Sequence, residues 1–468
     1  MTIFSDAVPI PWERVTPHPG TSNYPPQAMQ SAVRATNDIA LIGYGERLLV
    51  SGSPYAYETA EYWLRAVRYT EDGPELGPAV RFPPPVLGIY ALLNLLVDDD
   101  GVIWIVAGMG IYNSSSSSAV GSYLHIGRVT INATTLAVAV QWQHQVPVGN
   151  NDHSETHVDI WPAQRILVVT LGNATASYLT ARATWLIHLD TGAIVATRAL
   201  PLTSGTTNSV WVRAMAFHPG RQELLVIGDR TTGGYDRPTF WTAPITATSI
   251  GAFVRFVPPG LPVGYRDDIT SEGWEAIALP TKWMAAGIWS RDDEYNSSNG
   301  WWGSTRLRNY SFDGATITEQ STPLSEVAMG GYSSGRSLKN DLGVTDTGAI
   351  VAAVVEPTDR TTSSAGTGIG GIRHVEIGVD GATVLGSQIL PKTSNIIERD
   401  ASVCAVALGG GRFIYLVSGP GITGLVTTRL ASLAFAVYAG GPIMKPPFVP
   451  GIKGEAPEEN RRAFRRVN

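Results

Sequence analysis

One unit recurs along the chain and limits its fold more than any other feature: two short apolar segments joined by a tight polar turn. The first copy is IALIGYGERLLVSG, at residues 39–52. Six more copies follow in order: LLNLLVDDDGVIWIVAG, HVDIWPAQRILVVTLG, VRAMAFHPGRQELLVIGD, WEAIALPTKWMAAGIWS, NDLGVTDTGAIVAAVVE and SVCAVALGGGRFIYLVSG. The apolar segments are rich in Val, Ile, Leu, Trp and Tyr, and Gly, Pro, Asn and Asp bound them, which is the pattern of β-strands.

A second hairpin follows each unit after a longer polar connection, as in TWLIHLDTGAIVATRALP and TRLRNYSFDGATITEQSTP. The Asp-Gly pairs at 313–314 and 380–381 suit a two-residue turn that needs positive φ. Prolines are predicted to end the last strand of each repeat, because proline cannot donate to a strand ladder. They are Pro83, Pro147, Pro201, Pro258, Pro323, Pro391 and Pro442.

Four antiparallel strands per repeat and seven repeats predict an all-β fold, a seven-bladed β-propeller of four-stranded antiparallel blades. The alternative is two stacked β-domains. The expected blades lie near 30–85, 86–147, 148–202, 203–259, 260–325, 326–392 and 393–442. This gives an extended N-terminal arm at 1–29, a propeller at 30–442 and an extended C-terminal attachment arm at 443–468. Whether the N-terminus adds a closing strand to the last blade stays open.

Charge and hydrophobicity argue against two classes of partner, nucleic acid and membranes. The net charge of −6 argues against nucleic acid, because phosphate binding needs a concentrated positive field. No apolar run is long enough for a membrane span, so no membrane insertion is expected. The N-terminus shows no signal peptide, which predicts synthesis in the cytoplasm. The lone Cys404 has apolar neighbours and is expected to be buried and inert.

The loops between strands two and three, and between blades, are long and share one face in a propeller. Binding residues concentrate on such loops, and aromatic rings stack on sugars. The predicted ligand-binding residues of this face are Tyr55, Tyr57, Tyr112, Asp152, His153, Tyr235, Arg266, Asp267, Asp268, Tyr295, Trp301 and Trp302.

The segment GNNDHSETHVDIW, at 149–161, contains two histidines and is therefore a candidate for a metal site. His153 and His157 are four residues apart, a ligand spacing on a helix but about 13 Å in a strand. We therefore expect polar rim residues there, with Asp152, His153 and Glu155 near the central channel. No cofactor is expected. One weak calcium candidate is the alternating set Asp292, Glu294 and Asn296, which lacks the glycine and closing glutamate of an EF-hand.

VDDDGVIW, at 97–104, resembles the Asp-box of bacterial-neuraminidase-repeat propellers in its Asp99, Gly101 and Trp104. That resemblance implies a glycan-processing hydrolase as an alternative function. A sialidase would need an arginine trio, for which Arg213, Arg266 and Arg399 are available, although no motif selects them. The sequence predicts no catalytic residue and carries no other catalytic signature.

In architecture and loop style the chain resembles virion-associated propellers of tailed phages. The resemblance implies a non-enzymatic binding or structural protein of a virion, with a long-loop face that recognises a host surface glycan or protein. Its terminal arms would contact other proteins of the assembly. A cytoplasmic protein-interaction scaffold is the third hypothesis.

The C-terminal arm is too rich in proline for a blade strand. Its predicted partner anchors are Phe448, Phe464, Arg461, Arg462, Arg465 and Arg466.

Overall fold

The computed structural model describes residues 3–4, 8–11, 27–49, 57–81, 89–113, 116–149, 156–171, 183–200, 211–232, 235–258, 265–266, 275–291, 295–296, 300–301, 303–320, 327–329, 341–344, 350–357, 369–377, 384–389, 402–419 and 422–429. In these residues strands dominate, and two short 3-10 helices occur at Pro162–Gln164 and Gly409–Gly411.

The strands form successive antiparallel sheets. We number the sheets in the order in which their innermost strands occur in the chain. The N-terminal strands are β1 (Ile3–Phe4) and β2 (Val8–Pro11). Sheet 1 holds β3 (Gln27–Arg34), β4 (Ile39–Leu49), β5 (Tyr57–Thr70), β6 (Gly73–Leu76) and β7 (Val80–Arg81). Sheet 2 holds β8 (Ile89–Val97), β9 (Ile103–Asn113), β10 (Ser116–Ile131) and β11 (Val138–Gly149). Sheet 3 holds β12 (Thr156–Trp161), β13 (Ile166–Leu171), β14 (Ala183–His188) and β15 (Ile194–Ala199).

Sheet 4 holds β16 (Trp211–His218), β17 (Glu223–Thr232), β18 (Tyr235–Thr246), β19 (Ser249–Ile250) and β20 (Val254–Phe256). Sheet 5 holds β21 (Tyr265–Arg266), β22 (Glu275–Ala278), β23 (Trp283–Arg291), β26 (Gly303–Phe312), β27 (Ile317–Gln320) and β28 (Val327–Met329). A separate two-stranded hairpin, β24 (Tyr295–Asn296) and β25 (Gly300–Trp301), lies between β23 and β26 in the chain. Sheet 6 holds β29 (Asp341–Val344), β30 (Ile350–Pro357), β31 (Ile369–Ile377) and β32 (Val384–Ile389). Sheet 7 holds β33 (Ser402–Ala407), β34 (Arg412–Gly419) and β35 (Ile422–Arg429).

In most of the sheets, paired strands follow one another in the chain, so these blades are built mainly from local hairpins. This confirms an all-β propeller of four-stranded antiparallel blades. The outer strand of sheet 7 comes instead from the N-terminus: Ile3 pairs with Arg429, and Val8 pairs with Leu425. Part of the predicted N-terminal arm therefore completes this sheet, which answers the point that the sequence leaves open.

Turn chemistry forms the later hairpins where the sequence predicts them. The first predicted hairpin, at 39–52, is wrong: Ile39–Leu49 form the single strand β4, which pairs with β3 across a turn at 35–38. Gly314 has φ +92°, and the Asp313 carboxylate accepts hydrogen bonds from the backbone N–H groups of Ala315 and Thr316. A carboxylate that accepts two N–H groups is favoured in its charged form, so these bonds hold the pKa of Asp313 below its ordinary value. The other predicted pair, at 380–381, lies outside the described residues.

Apolar clusters between consecutive sheets hold the blades together. Sheets 1 and 2 bury a cluster with Tyr62 and Leu95, sheets 2 and 3 one with Trp104, sheets 3 and 4 one with Phe217, and sheets 4 and 5 one with Trp283. The described clusters thus join five packed blades. This count differs from the predicted seven, because no described core cluster links sheets 6 and 7 to their neighbours.

Side chains also satisfy the backbone at the edges of the innermost strands. Ser31 of β3 accepts a hydrogen bond from the Leu95 N–H of β8 at 3.0 Å. Asp159 of β12 accepts one from the Phe217 N–H of β16 at 2.9 Å and another from its own neighbour Ile160. An inner edge strand has no further strand to pair with, so a polar side chain from the adjacent blade takes that place.

Two further predictions are wrong, one about the end of a strand in sheet 2 and one about the start of the sixth blade. Pro147 lies inside β11, paired with Tyr123, and does not end the strand. Because β11 is the outermost strand of sheet 2, its other edge needs no N–H donor, and proline is tolerated there. Residues 327–329 pair with β26 of sheet 5, although the sequence assigns them to the sixth blade.

Cys404 is fully buried on β33, as predicted. Within the described residues, no helix has the length and apolar character to cross a membrane. The C-terminal arm and its anchors, Phe448, Phe464, Arg461, Arg462, Arg465 and Arg466, lie outside the described residues, so that interpretation stays a prediction.

Candidate functional site

The connections between strands two and three define one end of the sheets, which we call the hairpin end. The opposite end carries the turns between strands one and two and between strands three and four; we call it the turn end. At the hairpin end, β17 and β18 stay paired up to Thr232 and Tyr235, whereas the pairing of the inner strand β16 stops at Asp229. Among the described residues, the pairing of the second and third strands therefore extends beyond that of the inner strand.

Two predicted loops are in fact extended hairpins. In sheet 2, β9 runs to Asn113 and β10 starts at Ser116, so most of the serine run at 114–118 is strand. In sheet 4, only two residues, both glycine in the sequence, separate β17 from β18. Cross-strand pairing stabilises the described part of this polar segment, which has no strand signal of its own.

Several predicted ligand-binding residues lie on strands at the hairpin end. Tyr112 pairs with Ala119, Tyr235 pairs with Thr232, and Tyr295 pairs with Trp301 across β24 and β25. The remaining described members are Tyr57 on β5 and Arg266 on β21. Asn296, of the calcium candidate, lies on β24. Outside the described residues lie Tyr55, Asp152, His153, Asp267, Asp268, Trp302, Asp292, Glu294 and Arg399.

His157 lies on the extended strand β12, as the spacing argument expects. The described residues contain no group of three or more His, Cys, Asp or Glu side chains placed to hold a metal ion. The calcium candidate at Asp292, Glu294 and Asn296 has only Asn296 among those residues, so it stays a prediction.

Arg213 occupies an irregular position on the innermost strand β16. The register between β16 and β17 shifts between Val212 and Ala214, which leaves Arg213 as an extra residue with 8% of its surface exposed. Bulges of this kind redirect a side chain. The other two members of the sialidase-type trio are not brought together with it by any described contact, since Arg266 lies on β21 and Arg399 lies outside the described residues.

The turn end holds a charged cluster between sheets 2 and 3 that the sequence does not single out. Asp98 is 4% exposed and accepts hydrogen bonds from the Trp104 indole N–H at 2.9 Å and from the backbone N–H groups of Asp100 and Val102. Gly101 has φ +77° in the same turn. Asp98, one residue before the Asp99 of the Asp-box resemblance, closes the turn and accepts the hydrogen bond of the tryptophan.

Arg165 connects this turn to the next sheet. It donates to both carboxylate oxygens of Asp190 at 2.7 Å, and its Nη1 lies 3.7 Å from Asp98 Oδ2. The hydrogen bonds from Arg165 lower the pKa of Asp190 and raise the pKa of Arg165 itself. Arg128 stacks over the Trp104 ring at 4.9 Å and lies 3.7 Å from Asp190. The cluster therefore joins sheets 2 and 3 through two arginines.

Arginines cross other junctions at the same end. Arg221 of sheet 4 lies over the Trp283 ring of sheet 5 at 5.1 Å and against Gly314, where a Cβ would collide with its guanidinium. Arg412 of sheet 7 donates to the Asn37 carbonyl of sheet 1 at 3.1 Å and lies 5.4 Å from the Tyr69 ring.

A shared sequence position marks these contacts. In the segments PAQR, HPGR and GGGR, an arginine closes the turn between the first two strands of three repeats. These are Arg165, Arg221 and Arg412. An alignment of the seven repeats on that turn identifies the set from the sequence alone.

Comparisons with known proteins find only distant structural similarity and no family. No family model matches the sequence, and no curated protein matches it. Similar solved structures include a Trypanosoma rangeli sialidase in complex with sialic acid, at 12% identity and a TM-score of 0.43, over 87% of this chain and 55% of that one. They also include Sqt1 of Chaetomium thermophilum bound to the N-terminus of the ribosomal protein L10, at 9% identity and a TM-score of 0.42, over 86% of this chain and 96% of that one.

A third is the α-L-arabinofuranosidase Arb93A of Fusarium graminearum in complex with an iminosugar inhibitor, at 7% identity and a TM-score of 0.44, over 72% of this chain and 90% of that one. The similar structures thus include a sialidase, an arabinofuranosidase and a protein bound to a segment of a ribosomal protein. At this level the likeness concerns the fold alone, since one fold supports many functions.

Proposed function

We propose that this chain is a non-enzymatic binding propeller of a large assembly, and that its hairpin end recognises a surface glycan or a protein. The observation that carries the proposal is the placement of Tyr112, Tyr235, Tyr295 and Trp301 where projecting hairpins end. Tyrosine and tryptophan offer large, rigid contact areas at low entropic cost, and their rings stack on sugars. The turn end fits a structural role instead, because its arginines bind neighbouring sheets. This leaves the hairpin end for ligand recognition.

The test compares hairpin-end variants with a turn-end control. Binding of labelled wild-type protein to a glycan array is measured beside Tyr112→Ala, Tyr235→Ala and Trp301→Ala, with the exposed Thr248→Ala as the matched control. Loss of at least tenfold in signal for the aromatic variants, with the control unchanged, is the expected result. Equal binding by all of these proteins would remove the hairpin end from the site.

A glycan-processing hydrolase is the competing function. Incubating the same proteins with a panel of chromogenic glycosides separates the two, since a binding protein leaves the panel intact. Turnover that survives purification and disappears in a carboxylate variant would replace our proposal with the hydrolase.

The assembly that we propose is a tailed-phage virion, on the basis of the loop style described above. The C-terminal segment after Met444 would be the attachment arm. A chain truncated there is expected to fold and to fail to join particles. Particles that incorporate the truncated chain normally would show that the arm is not an attachment device.

We further propose that sheets 6 and 7 complete a ring of seven blades. Contacts of the innermost strands support this: β29 lies against β22 and β33, and β33 lies against β3. Arg412 and Asn37 add a hydrogen bond at the last junction. Deleting residues 1–11 removes the outer strand of sheet 7 and is expected to lower the melting temperature markedly. An unchanged melting temperature would argue against closure by the N-terminus.

A further inference from the structure

The hairpin of β17 and β18 keeps one unbroken register from the core of sheet 4 to the hairpin end. Glu223 pairs with Pro244 near the turn end, Thr232 pairs with Tyr235 at the hairpin end, and no shift occurs between them. Successive residues of a strand alternate between its two faces, and directly paired residues share a face. The faces of the residues at the hairpin end therefore follow from those of the buried residues on the same two strands.

Buried residues identify the two faces of this hairpin. Val226 and Ala243 belong to the apolar cluster between sheets 3 and 4. Ile227 and Phe240 belong to the cluster between sheets 4 and 5. Even-numbered residues of β17 and odd-numbered residues of β18 therefore belong to the face toward sheet 3, and the others to the face toward sheet 5.

The alternation sorts the charged residues of the hairpin end by sign. Arg230 and Arg237 are directly opposite each other in the register, and both belong to the face toward sheet 3. Asp229 and Asp236 belong to the face toward sheet 5. Like charges directly opposite each other in an antiparallel pair destabilise it. The register thus pairs two arginines, although an acid is next to each of them in the chain.

Sheet 5 offers positive charge to the acidic face of the hairpin. The pairing of β23 with β26 is also unbroken, from Trp283 and Phe312 to Ser290 and Thr305. Tyr310 of β26 belongs to the cluster between sheets 4 and 5. By alternation, the residues at 306 and 308, both arginine, belong to the same face of β26 as Tyr310. The acids of the hairpin therefore have cations on the sheet that they face.

Sheet 3 offers no comparable negative charge to the two arginines. Its described strands contain a single acid, Asp159. The Asp159 carboxylate accepts the Phe217 N–H at 2.9 Å, in the part of β16 next to the turn end. The connections of sheet 3 at the hairpin end, residues 172–182 and 201–210, contain no Asp or Glu. The described strands of sheet 3 and these two connections thus supply no carboxylate to the hairpin end.

We propose that the face formed by Arg230, Arg237 and Tyr235 binds the carboxylate or sulfate groups of an acidic glycan. Two guanidinium groups suit such an anion, because each can donate parallel N–H bonds to its oxygens, and the anion offsets the repulsion between them. Tyr235 belongs to the same face, and tyrosine rings stack on sugars. The inference rests on the proposed function of the hairpin end and names the chemical class of its ligand.

The test measures binding of the full chain to immobilised polysaccharides by biolayer interferometry. Dextran sulfate and dextran share one backbone and differ in sulfate, and polygalacturonate supplies carboxylates. Wild type is expected to bind both charged polymers about tenfold more tightly than dextran, or better. The double variant Arg230→Gln with Arg237→Gln is expected to lose about tenfold or more in affinity for the charged polymers.

A control of equal charge separates this site from the overall charge of the chain. Arg198→Gln with Arg255→Gln removes two positive charges from exposed positions on the outer strands of sheets 3 and 4 and should change binding by less than about twofold. Circular dichroism checks that each variant is folded. Equal losses in the two double variants, equal affinity of wild type for dextran sulfate and dextran, or full binding by the Arg230 and Arg237 variant would overturn the proposal.

Further outcomes distinguish this inference from the proposed function. Tighter binding of wild type to poly-glutamate or to single-stranded DNA than to either charged polysaccharide would identify another class of partner and overturn the inference. Binding to neutral glycans that Tyr235→Ala loses, without binding to either charged polymer, would overturn the inference and leave the proposed function intact. Charged-polymer binding that survives every hairpin-end variant would overturn both.

Discussion

The two ends of the sheets use their polar residues in opposite ways. At the turn end, Asp98, Arg165 and Arg221 are engaged with rings, backbone N–H groups and carboxylates, and several of these contacts cross from one sheet to the next. At the hairpin end, strands two and three stay paired beyond the last described pair of the innermost strand. A propeller must hold its blades together and also present a variable surface. Here the two tasks lie at opposite ends of the same strands.

The largest effect on stability is expected from Asp98→Ala. The substitution leaves the Trp104 indole N–H and two backbone N–H groups without their acceptor and removes one of the carboxylates near Arg165. A loss of about 3 kcal/mol follows from unsatisfied buried donors. Urea denaturation measures it. Asp100→Ala is the control, since that side chain is 79% exposed and should cost under about 0.5 kcal/mol. Equal losses in the two variants would mean that the turn end is not held by Asp98.

The next effect concerns pH. His125 on β10 is 2% exposed, packs edge-on to Trp142 and has no hydrogen-bond partner at Nε2, and burial lowers its pKa from 6.5 to about 4. The unfolded chain therefore binds a proton between pH 6.5 and 4 that the folded chain does not. Stability that is fully present above pH 6.5 is lost as the pH falls toward 4, by about 3 kcal/mol.

Denaturation at pH 7 and pH 4 checks this expectation. Carboxylates contribute to both measurements, so the quantity of interest is the difference between wild type and His125→Leu. The variant should lose about 3 kcal/mol less between the two pH values, because it has no imidazole to protonate. An identical loss in both proteins would show that His125 is not the titrating group.

A smaller effect is expected for Arg165→Lys. Lysine keeps the charge but cannot donate to both oxygens of Asp190 as arginine does, and the two side chains are 32% and 38% exposed, so we expect a loss of about 1 kcal/mol. The loss should shrink at high salt, because salt screens exposed pairs. Arg198→Lys, on the exposed edge of sheet 3, is the control and should change the free energy of unfolding little at either salt concentration.

The smallest effect on stability is expected at the hairpin end. Tyr235→Ala should change the free energy of unfolding by under about 0.5 kcal/mol, since Tyr235 closes a projecting two-stranded hairpin. The same substitution is the one that we expect to weaken ligand binding. A loss as large as that of Asp98→Ala would show that the hairpin end is part of the structural frame and would end the contrast between the two ends.

Local features are predictable from the sequence, and contacts between repeats are not. Alternation of apolar and polar residues predicts the strands, and Asp313-Gly314 predicts its turn, because both depend on residues within a few positions of each other. The Asp-box resemblance names Asp99, and only the structure shows that Asp98 accepts the Trp104 hydrogen bond and lies near Arg165. The serine run at 114–118 has the composition of a loop. Its own residues therefore do not predict the pairing of Ser116 with Asn113 on the neighbouring strand.

The fold class, the hairpin order, the extended conformation around His157 and the burial of Cys404 all follow from the amino-acid sequence alone. Each depends on short-range periodicity, turn residues or apolar neighbours. Tertiary packing was needed to pair Ile3 and Val8 with a strand more than 400 residues later, and to bring Arg165 to both Asp98 and Asp190. These contacts depend on how separate hairpins pack, and hairpins of nearly identical local pattern can pack in many ways until the apolar surfaces between them select one.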